Sequence, residues 1–150
     1  MRRTNVSIII KVLEDKKLKN IQVTINPTEI RHFDYTNAFN KKPGEQIQLQ
    51  VRSSVDIKLN PNNPVIALVI IKVVVEDPDK SVTMNIETLT GITVSTFIDD
   101  LEGYIRSTYL PTVIMVSNEK IRSATMAVGM PIKLPNPLFG VEKAPDELTQ

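Results

Sequence analysis

The chain has no cysteine and no tryptophan, one histidine and five glycines among its 150 residues. Without cysteine there is no disulfide framework, no thiolate zinc site and no thiol nucleophile, which suits a reducing, cytoplasmic setting. Five glycines leave no glycine-rich phosphate loop. Three tyrosines and four phenylalanines leave a core that must be aliphatic, and the valines and isoleucines that supply it are strand formers. The longest apolar run, Val65–Ile71, is far short of the roughly 20 residues that span a bilayer, so no membrane insertion is predicted. Arg2 and Arg3 imitate the start of a secretory signal, but Lys11 interrupts the apolar stretch and no small-residue cleavage site follows.

What is present is patterned. The length predicts one domain over 1–150, with 141–150 as a mobile tail. The net charge of +1 predicts no nucleic-acid partner. It conceals an asymmetry: residues 1–60 carry a net +5 and residues 61–150 a net −4. The basic part includes Arg2, Arg3, Lys16, Lys17, Lys19, Lys41 and Lys42, read as solvated loops.

Val6, Ile8, Ile10 and Val12 alternate with Ser7, Ile9 and Lys11, and alternation resumes in opposite parity at Ile21, Val23 and Ile25. The switch across Glu14–Lys17 predicts a bulge or break within one long edge element. Asn26–Pro27 reads as a turn. Phe33, Tyr35 and Phe39 mark a short strand, closed by Lys41–Gly44. Ile47, Leu49, Val51, Ser53, Val55, Ile57 and Leu59 then face one side and polar residues the other, the strictest period-two pattern in the chain. Asn60–Pro64 is a turn. Val65–Val75 is apolar on both faces, so it needs cover on both, and a second subunit is the economical source. Ser81–Val94 is a further strand, and the last three strands form an antiparallel meander.

Ser95 or Thr96 is positioned to cap a helix over Phe97–Thr108, with Asp99 and Asp100 in its first turn. Pro111 opens a second helix over Thr112–Val128, stopped by Gly129 and Pro131. On it Leu110, Ile114, Ser117, Ile121, Ala124 and Val128 form a stripe whose small residues let another helix approach closely. The fold class is therefore α+β, a four-stranded antiparallel meander followed by one or two helices.

Catalytic constellations are weak. His32 has no second histidine and no nucleophile-elbow sequence to serve. Glu76, Asp77 and Asp79 lack the spacing of a calcium loop and read as a polar hairpin. Asp99, Asp100 and Glu102 read as first-turn helix charges. No catalytic residue, metal site or cofactor is predicted, and the chain is read as not an enzyme.

The order of four strands and then helices resembles the SecB protein-export chaperone family over roughly Asn5–Phe139. Thr90-Gly91-Ile92-Thr93-Val94 is similar to the family's glycine–isoleucine segment closing its fourth strand. Pro111 and Gly129 bracket a helix at the family's spacing, and the stretch Pro131-Ile132-Lys133-Leu134-Pro135-Asn136-Pro137-Leu138-Phe139 resembles the segment after it. The resemblance implies a four-stranded sheet with helices on one side and a dimer of dimers joined by long helices. It implies ATP-independent holding of unfolded or precursor polypeptides in hydrophobic grooves. Groove positions carry over to Ile47, Leu49, Val51 and Phe139, and the oligomer interface to Ile114, Ser117, Ile121, Ala124 and Val128. Three departures stand out. Ser117-Asn118-Glu119 replaces an aromatic–Ala–Arg segment, Pro137 and Gly140 interrupt the final helix, and the near-neutral charge differs from the acidity that serves docking on SecA. An adaptor of the same fold serving one protein partner, as in a toxin–antitoxin or phage system, is the alternative to a general chaperone.

Overall fold

β-branched residues crowd the two central strands, and those are the longest. The computed structural model describes residues 20–38 and 46–135. Its elements are β1 (Val23–Ile25), β2 (Glu29–Asn37), β3 (Gln50–Asn60), β4 (Asn63–Glu76), β5 (Val82–Val94), α1 (Leu101–Thr108) and α2 (Leu110–Ala127). The expected strand at Val6–Val12, the break at Glu14–Lys17, the basic residues of 1–19 and 39–45, and the 141–150 tail lie outside the described residues.

All pairings are antiparallel. The strands run β3, β4, β5 across the sheet, and β1 and β2 both lie against the far side of β5. The meander of the last three strands is as expected. The first strand does not extend it beyond β3; it returns beside β5, which makes the order that of a Greek key. β2 thus lies at one edge of the described sheet and β3 at the other.

Asn26–Pro27 is not a reversal. Ile25 pairs with Ile92 and Glu29 with Leu89, so the chain runs on along β5 with three edge residues facing two. Pro27 has no N–H for a ladder, and an edge is where a strand tolerates that. The interruption is anchored on both sides: Asn26 N–H donates to the Gly91 carbonyl at 2.9 Å, and the buried hydroxyls of Thr28 and Thr90 lie 2.8 Å apart. Gly91 leaves room for the Asn26 side chain, whose nitrogen would lie 2.9 Å from a Cβ here and would have to turn aside.

One face of the sheet carries the core. Ala67, Val69, Ile71, Val73 and Val75 of β4 are buried, as are all the even positions of β5 from Val82 to Val94. Leu101 and Ile105 of α1, Val113 and Ile121 of α2, and Ile132 beyond it close over them. No aromatic side chain among the described residues is fully buried, and the core is aliphatic as composition predicts. Each such Val or Ile contributes about 1.5–3 kcal/mol by leaving water. On the opposite face of β4 Ile70 is buried, while Leu68 is 37% exposed.

The first helix starts later than Ser95 or Thr96 would allow, because Ser95 is engaged elsewhere. Its hydroxyl accepts from Gln22 N–H at 2.9 Å, and its own N–H donates to the Gln22 carbonyl. Asp100 caps instead, accepting from Gly103 N–H at 3.0 Å. Pro111 sits in the first turn of α2, where a missing N–H breaks no bond. Gly129 ends that helix at φ +80°, with Met130 N–H on the Thr125 carbonyl and Gly129 N–H on that of Met126, the paired closure of a Schellman motif.

The β4–β5 hairpin is held by Asp77, whose carboxylate accepts from the Ser81 hydroxyl and from Val82 N–H. Those bonds, the Ser81 hydroxyl foremost, hold its pKa below the ordinary value of a carboxyl group. A depressed folded pKa gives stability that is complete above the unfolded pKa and is lost as pH falls through the folded one. The stability gap between wild type and Asp77→Asn is therefore expected to be constant above about pH 5 and to shrink below about pH 4. Urea midpoints across that range measure it, and a gap unchanged in acid would contradict the assignment.

Candidate functional site

Among the described residues β3 is an edge strand whose inward row is only partly covered. Val51, Ser53 and Val55 are half-buried, Ile57 is buried, and Leu59 at the end is 48% exposed. Ile47 and Leu49 continue the row before the strand begins and are half-buried. Leu49, Val51 and Val55 pack against the core cluster. Of the groove positions predicted on this strand, Ile47, Leu49 and Val51 thus form a continuous margin of the core, neither sealed nor free. Phe139 lies outside the described residues.

Above this margin the chain returns from α2. The turn at Gly129 sends 130–135 back along the helix. Thr125 pins it by accepting from Ile132 N–H at 3.3 Å, and Asn118 by donating its side-chain amide to the Pro135 carbonyl at 3.1 Å. A small recess remains between Val55 and Ile71 of the sheet, Ile114 and Asn118 of α2, and Leu134. Sequence periodicity displays Val55, Ile57 and Leu59, yet it does not distinguish them as site residues. Among the described residues β3 is the outermost strand, approached by α1, and exposure along its inward row rises from Ile57 to Leu59.

The predicted interface stripe on α2 resolves differently. Ser117 and Ile121 are fully buried against the chain's own sheet, so they form no surface for a partner. The Ser117 hydroxyl lies 2.6 Å from that of Thr88 on β5, so the small residue lets the helix approach the sheet instead of another helix. Ile114 and Ala124 are half-buried at the sides, and Val128 is 39% exposed at the end. The outward face carries Met115, Val116 and Met126, exposed by 37, 42 and 55%. A 3–4-spaced stripe identifies the buried face of a helix and not its partner, whereas the outward residues hide among Glu119, Lys120 and Arg122.

The remaining candidates are structural. His32 is exposed on β2 opposite Glu87, on the face away from the helices. Glu87 itself lies within 3.7 Å of Lys72 and 3.8 Å of Arg31. Asp77 closes the hairpin, Asp100 caps α1, and Glu102 pairs with Arg106 at 3.1 Å. Among the described residues no group of acidic, histidine or cysteine side chains is arranged to hold a metal ion, and no helix is long and apolar enough to cross a membrane.

An antiparallel Greek-key sheet followed by two helices laid on one face defines a small α+β class of protein. Within it, the chain has the SecB-like fold. It superimposes on the SecB-like chaperone Rv1957 of Mycobacterium tuberculosis, solved in complex with a ChAD peptide from the antitoxin Rv1956 HigA1, with a TM-score of 0.60. Identity is 13%, over 76% of this chain and 90% of that one. A protein of unknown function from Streptococcus agalactiae aligns over 77% of this chain and 98% of its own at 12% identity, but its TM-score of 0.35 carries no argument. No family model and no curated protein matches the chain.

The buried hydroxyl pair offers a direct check on Ser117. Ser117→Ala leaves the Thr88 hydroxyl buried without its partner and is expected to destabilise by about 1–3 kcal/mol. Thr88→Val added to it should recover most of that loss, since two apolar groups need no partner. Urea unfolding of the three variants reads the cycle, and additive losses would remove the pairing from the account.

Proposed function

We propose that this chain is a nucleotide-independent chaperone that holds extended, unfolded or precursor polypeptides along the β3 margin of its sheet. The observation that carries this reading is the apolar row from Ile47 to Leu59, left partly open beside the recess under Ile114 and Leu134. The likeness to a SecB-like chaperone solved with a peptide supports the same reading. Such a surface gains about 25 cal/mol for each Å² of apolar area it takes from water. It asks no side-chain register of its client, and a long client touching several copies gains avidity. That energy comes from burial alone, so the reading requires no cofactor and no catalytic group. Phe139, outside the described residues, belongs to the same proposal through the family resemblance alone. The absence of cysteine suits work in the cytoplasm.

A narrower reading is that one dedicated partner is served. The near-neutral net charge favours it over service to SecA in export, because it offers no acidic field for docking.

The self-association that such a chaperone uses for avidity is assigned to the outward face of α2, in place of the buried stripe. Met115, Glu119, Arg122 and Met126 follow one another at spacings of four, three and four, a seam of coiled-coil type. The seam reads the same in both directions. Two antiparallel copies about a twofold axis set Met115 against the partner's Met126 and Glu119 against the partner's Arg122. Within the chain these two charges lie 3.6 Å apart and are well exposed, so exchanging them between copies loses little. Val116 widens the strip.

Light-scattering mass, with and without reduced carboxymethylated α-lactalbumin as an unfolded client, tests the holding function. A stable complex is expected, and Leu59→Asp should weaken it roughly tenfold, the equivalent of one lost leucine contact. Indifference to the client would sink the proposal. For the assembly, Glu119→Arg and Arg122→Glu should each lower the mass of the oligomer, and the double exchange should restore it. An assembly that ignores both single changes is not built on this seam.

A further inference from the structure

The two edges of the sheet are built in opposite ways. The β1–β2 edge is interrupted at Asn26–Thr28, contains Pro27, and shifts register again between Ile30 and His32. Interruptions, prolines and bulges are how proteins spoil an edge as a template for further strands. β3 has none of these along Ser54–Leu59. Each of those residues is in unbroken register with β4, from Lys72 to Ala67, and the shift comes only after Leu59. Among the described residues no element lies beyond β3. Alternate backbone N–H and C=O groups of such a strand point outward, and they are satisfied only by water or by another extended backbone.

We propose that Ser54–Leu59 is a strand-addition site, at which an extended segment of a client polypeptide joins the sheet as a further strand. This deepens the holding function proposed above and rests on it. Main-chain bonds supply binding that is indifferent to client sequence, while alternate side chains are read on the two faces. On the inward face the added strand lays apolar residues on Val55, Ile57 and Leu59, with the recess beneath Ile114 within reach of one of them. On the outward face Asp56 and Lys58 are exposed and enter none of the ion pairs among the described residues. The fitting segment is therefore extended, apolar at alternate positions, and at the others places a base across from Asp56 and an acid across from Lys58.

A second copy of the chain also matches this edge. Antiparallel pairing about Ile57 sets Val55 opposite Leu59 and Asp56 opposite Lys58. That pairing ends at Ser53, because it brings Pro61 of the turn opposite that residue. A client strand carries no such turn, so the client is the occupant assigned.

Amide hydrogen exchange of the full chain, followed residue by residue, tests this with reduced carboxymethylated α-lactalbumin as client. In the free protein, alternate amides of Ser54–Leu59 bonded to β4 exchange slowly and the intervening ones quickly. At saturating client the quick set is expected to slow about tenfold or more, with the slow set unchanged. A complex that forms while the quick set stays quick overturns strand addition and leaves the holding function standing. Protection that rises with protein concentration in the absence of client overturns it in favour of self-pairing. Failure to form any complex removes this inference together with the reading beneath it.

Discussion

The structure depends on one row of side chains: the inward positions of β5, from Val82 through Met84, Ile86, Thr88, Thr90 and Ile92 to Val94, every one of them buried. β5 is paired with β4 on one side and with β1 and β2 on the other, so both the meander and the returning edge are registered against it. Apolar burial is non-directional and sets the position of the helices over such a row less sharply than a hydrogen bond does. Two hydroxyls within the row supply such bonds. Thr88 meets Ser117 and so fixes α2 along the sheet; Thr90 meets Thr28 and so fixes where the edge strand resumes after its interruption. A buried hydroxyl away from its partner is penalised, and that penalty favours a single register.

The openness at β3 stands beside this arrangement. α2 stands over β5, held there by Ser117, and the segment after Gly129 returns beside it with Leu134 and Ile132 packed on the core. α1 meanwhile approaches β3 and β4, and β3 is the outermost described strand beneath these elements. Ile57 is covered while Leu59 is not. The apolar margin thus borders the layer that Ser117 helps to place, which brings fold and proposed function under the same constraint.

Much of this was legible in sequence wherever one face of an element is wet. The alternation of β3 and β5 marks them plainly, and the composition foretells an aliphatic core. What was not legible has particular causes. Asn26–Pro27 has the residues of a turn, but on an edge the same residues merely interrupt a ladder, and only the pairing to β5 tells the two apart. Ser95 has the chemistry of a helix cap but is engaged with Gln22, which is distant in sequence, so the cap falls to Asp100. The Ser117–Ile121 stripe showed correctly which face of α2 is buried. It could not show whether a sheet or another helix buries it, because both accept small residues at that spacing.

An open apolar edge is a hazard as well as a resource, and the arrangement of charge about β3 addresses both. Arg52, Ser54, Asp56 and Lys58 occupy the outward face of the strand, and Arg52 is tied to Glu76 at 2.9 Å across the pair. Charges of alternating sign on an edge oppose indiscriminate stacking, because a mismatched neighbour brings like charges together. They do not oppose a segment whose charges alternate in the complementary sense, nor one that is polar and uncharged at those positions. The inward row meanwhile gives no such discrimination. One strand therefore combines a permissive apolar face with a charged one, and under the proposed function this division favours segments whose charges complement Asp56 and Lys58.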